Sequence, residues 1–216
     1  MVSKKKWAAA LLPLLKKYKG QRHPLKYRNQ YQLLVMVVLS ARSTDEYINE
    51  IAPAFFAAYK NMAALSKADA PALYPYLKGV TNFAHKAQWL VQSAGEIKSD
   101  RRIPLNIDGL TALPGIGRKS ANVIMREAGV MPEGIVVDVH TIRVATRLGI
   151  TKEKDPGKIE EGLMGLLPAE EWDAGMAMSF LGREICRPKP LCDLCLMREV
   201  CLYYRKVVSK QKKGVE

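Results

Sequence analysis

Leu113-Pro114-Gly115-Ile116-Gly117-Arg118-Lys119-Ser120-Ala121-Asn122 is the stretch on which the reading of this chain turns. Leu110 and Leu113 close one helical pattern, and Ala121, Ile124, Met125 and Ala128 form the apolar face of the next. Between them Gly115 and Gly117 allow a tight turn, with no Cβ to hinder a close approach. The backbone N–H groups of Gly115, Ile116, Gly117, Arg118 and Ser120 are then candidates to cradle a phosphate at a helix N-terminus. A bare GxG is equally a plain helix–helix turn. With Arg118 and Lys119 directly behind it, a clamp on a DNA backbone is the better reading.

The charge supports that reading. The 216 residues carry 34 Lys and Arg against 21 Asp and Glu, a net charge of +13. No acid precedes Asp45, whereas Lys4, Lys5, Lys6, Lys16, Lys17, Lys19, Arg22, Lys26, Arg28 and Arg42 all do. Arg205, Lys206, Lys210, Lys212 and Lys213 add a basic C-terminal end, while Glu153–Asp173 is acidic and reads as a solvated face. A polyanionic partner follows, with nucleic acid ahead of an anionic membrane surface or simple solubility. The longest apolar run, Leu33–Leu39, is far shorter than the ~20 residues of a membrane span. Basic Met1–Lys6 followed by apolar Trp7–Leu15 imitates a secretory signal, but no cleavage site follows. Trp7, Leu11, Leu12 and Leu15 instead predict an amphipathic first helix and a cytoplasmic, nucleoid-associated protein.

Helical periods dominate the remainder. Gln30–Leu39 reads as a buried helix, although Val35, Val37 and Val38 also suit a strand. Glu50–Tyr59, Asp69–Leu77, Lys86–Ile97, Asp108–Leu113, Arg118–Ala128, Thr141–Leu148, Pro156–Leu167 and Glu170–Arg183 read as further helices. Few segments alternate with period two, so the chain is expected to be all-α.

All four cysteines follow one another as Cys186-x5-Cys192-x2-Cys195-x5-Cys201. In a reducing compartment such crowding favours metal ligation over disulfides or unrelated core thiols. Zinc sites usually pair two CxxC units, and this run holds one; an outlying-cysteine pattern fits an iron–sulfur cluster better. Spacing leaves both metals open. Arg187, Lys189 and Arg198 among the ligands suggest structural metal that stiffens a basic loop.

LPGIGRKSANVI, then VVDVHTIRVATRLG (Val136–Gly149), then the cysteine run, together resemble the endonuclease III family of DNA glycosylases. LSARSTD (Leu39–Asp45) is similar to that family's LSAQ-x-TD, so the likeness spans nearly the whole chain. The resemblance implies a two-domain helix–hairpin–helix glycosylase fold. Residues 24–132 would form a six-helix barrel domain; residues 1–23 and 133–216 would form an iron–sulfur domain. Cys186, Cys192, Cys195 and Cys201 would hold a [4Fe-4S] cluster. DNA would lie in the cleft, with Asp138 opposite Lys119.

By the same resemblance, Lys119 is the catalytic amine and Asp138 the catalytic carboxylate. A neutral amine attacks C1′ of a damaged nucleotide or abasic sugar, the base leaves, and a Schiff base forms. The α-proton beside that imine becomes acidic, so β-elimination cuts the strand. The helix N-terminus and Arg118 would disfavour the charged amine, while Asp138 would stabilise the sugar cation. Without the family likeness, Lys119 reads as a phosphate contact and Asp138 as an ordinary N-cap. His140 reads as a structural hydrogen-bonder or phosphate contact.

The gap left by an extruded nucleotide must be filled. Likeness points to Arg42, where Gln is usual, and Val80, where a larger wedge is common; Ser40 and Asp45 would line the lesion pocket. Thr111 stands where an acid often precedes the hairpin, and the first cysteine gap is x5 instead of x6. The expected activity is that of a bifunctional glycosylase and abasic-site lyase of base excision repair. It would act as a monomer on double-stranded DNA with a damaged base, oxidised pyrimidines foremost, or an abasic site. A monofunctional glycosylase like the adenine glycosylases needs a catalytic Glu before LSARSTD, and Leu33–Leu39 contains no acid. A non-catalytic DNA-binding protein is the remaining alternative.

Overall fold

The computed structural model describes residues 7–208; the N-terminal Lys4, Lys5 and Lys6 and the tail Lys210, Lys212 and Lys213 lie outside them. The described residues contain helices and turns and no strand. They divide into two compact units, one formed by residues 22–133 and the other by the segments before and after it.

The unit of residues 22–133 is built around α2 (Gln30–Ser40). Asn29 caps α2 by accepting the Gln32 N–H at 2.9 Å, which satisfies one of its orphan donors. Tyr31 and every residue from Leu33 to Leu39 are buried, so this helix is covered on all sides. A helix apolar all round is a core helix, and that is why its sequence carries no amphipathic stripe. Around it pack α3 (Asp45–Ala58), α6 (Phe83–Ile97) and α8 (Arg118–Glu127). The short α4 (Met62–Leu65) and α5 (Ala70–Leu73) lie on α6, and α7 (Ile107–Thr111) lies on α8. Edge-on aromatic pairs among Phe55, Phe56, Tyr59, Tyr76 and Tyr31 fill one end of this core.

Several boundaries differ from those that periodicity predicts. α3 begins at Asp45, five residues before the expected Glu50, because Thr44 accepts the Tyr47 N–H and caps it there. The single helix expected over Asp69–Leu77 breaks after Leu73 into a 3₁₀ turn, Tyr74–Tyr76. Pro75 lacks the N–H that a continued α-helix needs. Glu170–Arg183 likewise resolves into a 3₁₀ turn, Ala169–Glu171, and a later helix.

The second unit comprises α1 (Trp7–Lys17), α9 (Val139–Leu148), α10 (Pro156–Met164), α11 (Ala174–Glu184) and the cysteine loop. α11 is its centre, packing on α9 and on α1. Where the chain enters α9, α11 passes so close that a Cβ on Gly175 would stand 2.4 Å from the Val136 carbonyl. The apolar face of α1 is Trp7, Leu11, Leu14 and Tyr18, a 4-3-4 spacing. Leu12, expected to face inward, is 51% exposed.

That register is testable. Leu11→Ala should cost about 2–5 kcal/mol in urea unfolding, as for a fully buried leucine, while Leu12→Ala should stay within ~0.5 kcal/mol. Equal costs would contradict the register.

Candidate functional site

The hairpin joins α7 to α8. Gly115 adopts φ +81, and a Cβ there would meet Trp89 Cε3 at 2.4 Å, so the turn rests on the indole face with no room between them. Left-handed backbone and close approach are both glycine's province. The Ile116 N–H donates to the Leu113 carbonyl at 3.2 Å, closing the turn, and its side chain is buried. That amide therefore serves the hairpin itself, not a phosphate as expected. Gly117 is the N-cap of α8 and contributes no side-chain cap, so the first turn of α8 keeps its orphan donors free of a side-chain acceptor from the cap.

Lys119 is the second residue of α8 and is exposed. Further along, Ala121, Asn122, Val123, Ile124 and Met125 are all buried. Arg118 does not simply reach outward: its guanidinium donates to the Glu133 carbonyl at 2.7 Å. The Glu133 N–H donates to Asn122 Oδ1 at 2.9 Å, and the Ile107 N–H donates to Glu133 Oε1 at 3.1 Å. One residue thus ties both helices of the hairpin to the strap behind them. Sequence reasoning passed over Asn122, Glu133 and Trp89. An Asn inside an apolar helical face is the signal that could have found the first of them.

Asp138 is the N-cap of α9, the ordinary role weighed for it, and it is held far beyond that role. Its Oδ1 accepts the His140 and Thr141 N–H groups at 2.9 and 2.8 Å, with Thr141 Oγ1 at 3.0 Å. Its Oδ2 accepts the Ser179 hydroxyl at 2.6 Å and faces the Arg183 guanidinium at 3.9 Å. The side chain is 13% exposed. Two helices hence fix a carboxylate that still reaches solvent, as preorganised electrostatic catalysis requires. Ser179 and Arg183, one turn apart on α11, carried no signal on their own. His140 Nδ1 lies 3.0 Å from Arg143 Nη2, consistent with a structural role.

The LSARSTD segment forms the end of α2 and the start of α3. The Ser40 hydroxyl donates back to the Val37 carbonyl at 3.0 Å, and Asp45 is buried in the first turn of α3. Arg42 is exposed, with φ +60. Val80 is 2% exposed, which corrects the expectation of a protruding wedge: its methyls complete the core beside α6. Lys86, unremarked in the sequence, is equally buried; its amine donates to the Leu39 and Ala41 carbonyls at 2.7 and 2.6 Å. Burial lowers its pKa to about 8.

Cys186, Cys192, Cys195 and Cys201 are free thiols that line one pocket, together with Arg147, Ile185, Pro190, Arg198, Tyr203 and Tyr204. Burial pushes the thiols of Cys192, Cys195 and Cys201 up, the cost that ligation to a cation reverses. Arg147 Nη1 stands 3.4 Å from Cys186 Sγ, and the Tyr204 N–H stands 3.5 Å from Cys201 Sγ, both suited to thiolates.

Residues 35–169 match the family model of the HhH-GPD superfamily base excision DNA repair proteins. An endonuclease III from Synechocystis sp. is 36% identical over 206 residues, 93% of this chain and 94% of its own. The chain belongs to the endonuclease III family. The endonuclease III of Thermotoga maritima is 33% identical over 84% of this chain and 86% of its own. Among solved structures, a trapped endonuclease III–DNA covalent intermediate superposes with TM-score 0.85 at 29% identity, covering 95% of this chain and 99% of that one. A thermostable thymine-DNA glycosylase, 24% identical with TM-score 0.76, shares the fold. In keeping with this family's helical architecture, no described helix is long and apolar enough to cross a membrane.

The two hairpin glycines separate cleanly by experiment. Gly115→Ala should lower stability by about 1–3 kcal/mol through left-handed strain and collision with Trp89. Gly117→Ala, with open space around it, should fall within ~1 kcal/mol of wild type in the same thermal melts. Equal losses would contradict the described turn.

Proposed function

We propose that this endonuclease III family member is a bifunctional DNA glycosylase and abasic-site lyase of base excision repair. The observation that carries the reading is the exposed lysine in the uncapped first turn of α8, directly behind a glycine hairpin. Duplex DNA carrying a damaged base or an abasic site is the substrate, with oxidised pyrimidines the proposed lesion class.

The chemistry divides among the chain's own groups. The hairpin and the first-turn amides of α8 grip a phosphate beside the target nucleotide. The Lys119 amine attacks C1′ and the damaged base departs; the sugar C1′–O4′ bond then opens, a proton passing from the nitrogen to O4′, and an imine to Lys119 remains. Loss of the proton α to that imine expels the 3′ phosphate by β-elimination, and water releases Lys119 from the product. The Asp138 carboxylate, immobilised by His140, Thr141, Ser179 and Arg183, stabilises positive charge on the sugar as the base leaves. His140, held by Arg143, is assigned to orientation or a phosphate contact, not to proton transfer.

The cysteine cavity is assigned a [4Fe-4S] cluster held by Cys186, Cys192, Cys195 and Cys201. Such a cluster would supply cross-linking to a loop that has little core of its own, much as structural metals do elsewhere. Arg187, Lys189 and Arg198 would then stand on a stiffened basic loop. Brown protein containing iron and acid-labile sulfide is the expected result of purification, and colourless protein containing zinc would overturn the assignment.

Lys119→Gln should lower strand cleavage at an abasic site by on the order of 10³-fold or more, as for loss of a covalent nucleophile. Its affinity for the same duplex should fall only through one lost cation, with a salt slope smaller by about 1. Undiminished cleavage by this variant would sink the assignment of Lys119.

A further inference from the structure

α11 is buried from Ala174 to Gly182, and Ser179 is the one polar side chain in that run, with no exposed surface of its own. A hydroxyl sealed among apolar neighbours needs a partner. On a helix the nearest acceptor is a carbonyl three or four residues back. The Ser40, Ser66 and Thr111 hydroxyls take that option, donating to the carbonyls of Val37, Ala63 and Ile107. Ser179 does not. The carbonyl one turn behind it is that of Gly175, and the Thr141 hydroxyl of α9 already donates to it at 2.9 Å. Ser179 turns across the crossing instead and gives its proton to Asp138 Oδ2 at 2.6 Å.

The crossing suits a side chain of this length. A Cβ on Gly175 would stand 2.4 Å from the Val136 carbonyl, and one on Gly182 would stand 2.8 Å from His140 Cβ. Between these two close approaches, a single carbon and its oxygen span the gap to the carboxylate. Arg183, one turn beyond, reaches the same group by two routes: Nη2 lies 3.9 Å from Oδ2, and Nε donates to Ser179 Oγ at 3.5 Å. Cation, hydroxyl and carboxylate thus stand in series, and each donor in such a chain polarises the next.

We propose that Ser179 is a positioning residue for base release: its hydroxyl keeps the Asp138 carboxylate charged and still while positive charge develops on the sugar. The inference deepens the glycosylase reading and rests on it. At a site whose base has already gone, the lysine meets an aldehyde and no such charge develops, so less is asked of Ser179. A bond donated to an ionised carboxylate favours that form. Its loss lets the carboxylate take up a proton at higher pH, so the acid limb of base release moves upward. The ionisable groups facing this carboxylate include Arg183 on α11 and, on α9, His140 with Arg143 at its ring. Ser179→Ala leaves all three in place.

The test follows release of free base from a thymine glycol duplex, and strand cleavage of a duplex with one abasic site, in single turnovers across the acid and neutral range. Ser179→Ala should release base about tenfold more slowly than wild type, the scale of one hydrogen bond to a charged group. Its acid limb should lie about one pH unit higher, and its abasic cleavage should fall by a smaller factor. Ser179→Thr, which keeps the hydroxyl, should return both rate and limb toward wild type. If the added methyl prevents folding, urea unfolding of Ser179→Ala, Asp138→Ala and the double variant replaces that arm. The cycle should depart from additivity by about tenfold in the unfolding equilibrium at neutral pH. An unmoved acid limb, equal losses on the two duplexes, no recovery in folded Ser179→Thr, or an additive cycle overturns the proposal. Wild type that cleaves the abasic duplex but releases no base removes the glycosylase reading and this role together. Wild type that releases base, with Ser179→Ala matching it, overturns this role alone.

Discussion

The burial of α8 against α2 decides where the Lys119 amine, the proposed nucleophile, stands. α2 is enclosed on every side, so its neighbours must present apolar faces to it without gaps. α8 does so with Ala121, Val123, Ile124 and Met125, which leaves its first turn as the part that projects beyond the core. Gly115, pressed on Trp89, and Glu133, bonded by Arg118 and Asn122, fix the direction of that turn. A lysine at its second position is then exposed at a place that the core has rigidly determined. Few kilocalories separate such an arrangement from a loose loop, since each strap bond contributes about 1 kcal/mol.

Asp138 illustrates how an ordinary structural role and the proposed chemical one can share a side chain. As an N-cap it needs one oxygen and the amides of α9. Its second oxygen is free for Ser179 and Arg183 because Gly175 lets α11 come within contact of the Val136 backbone. The same close crossing that packs the unit therefore orients the carboxylate.

Much of the helical architecture was legible in the sequence because apolar periodicity and caps are local signals. The ends expected at Ala128 and Leu148 fall within one residue of where α8 and α9 stop. The misses have physical causes. Leu12 and Leu14 are both apolar, and only docking on α11 selects Leu14 for the core. α4 and α5 are single turns, too short for a period to register. Val80 was legible as apolar but not as buried. Lys86 reads as a solvated charge from composition alone; its partners, Leu39 and Ala41, lie 47 and 45 residues away in sequence. Glu133 and Ser179 likewise depend on long-range partners. At the candidate site, the motif residues were visible, while the groups that hold them were not.

Exposed Lys119 is the proposed nucleophile, and Lys86 is the lysine whose pKa burial lowers to about 8. Lys86 is buried and bonded to two carbonyls, which keeps its amine from a sugar. Borohydride reduction of the protein on a duplex with one abasic site, followed by peptide mass mapping, decides between them. The account predicts a single covalent adduct on the peptide that contains Lys119. An adduct on Lys86 or another residue, or none from protein that binds the duplex, would contradict it.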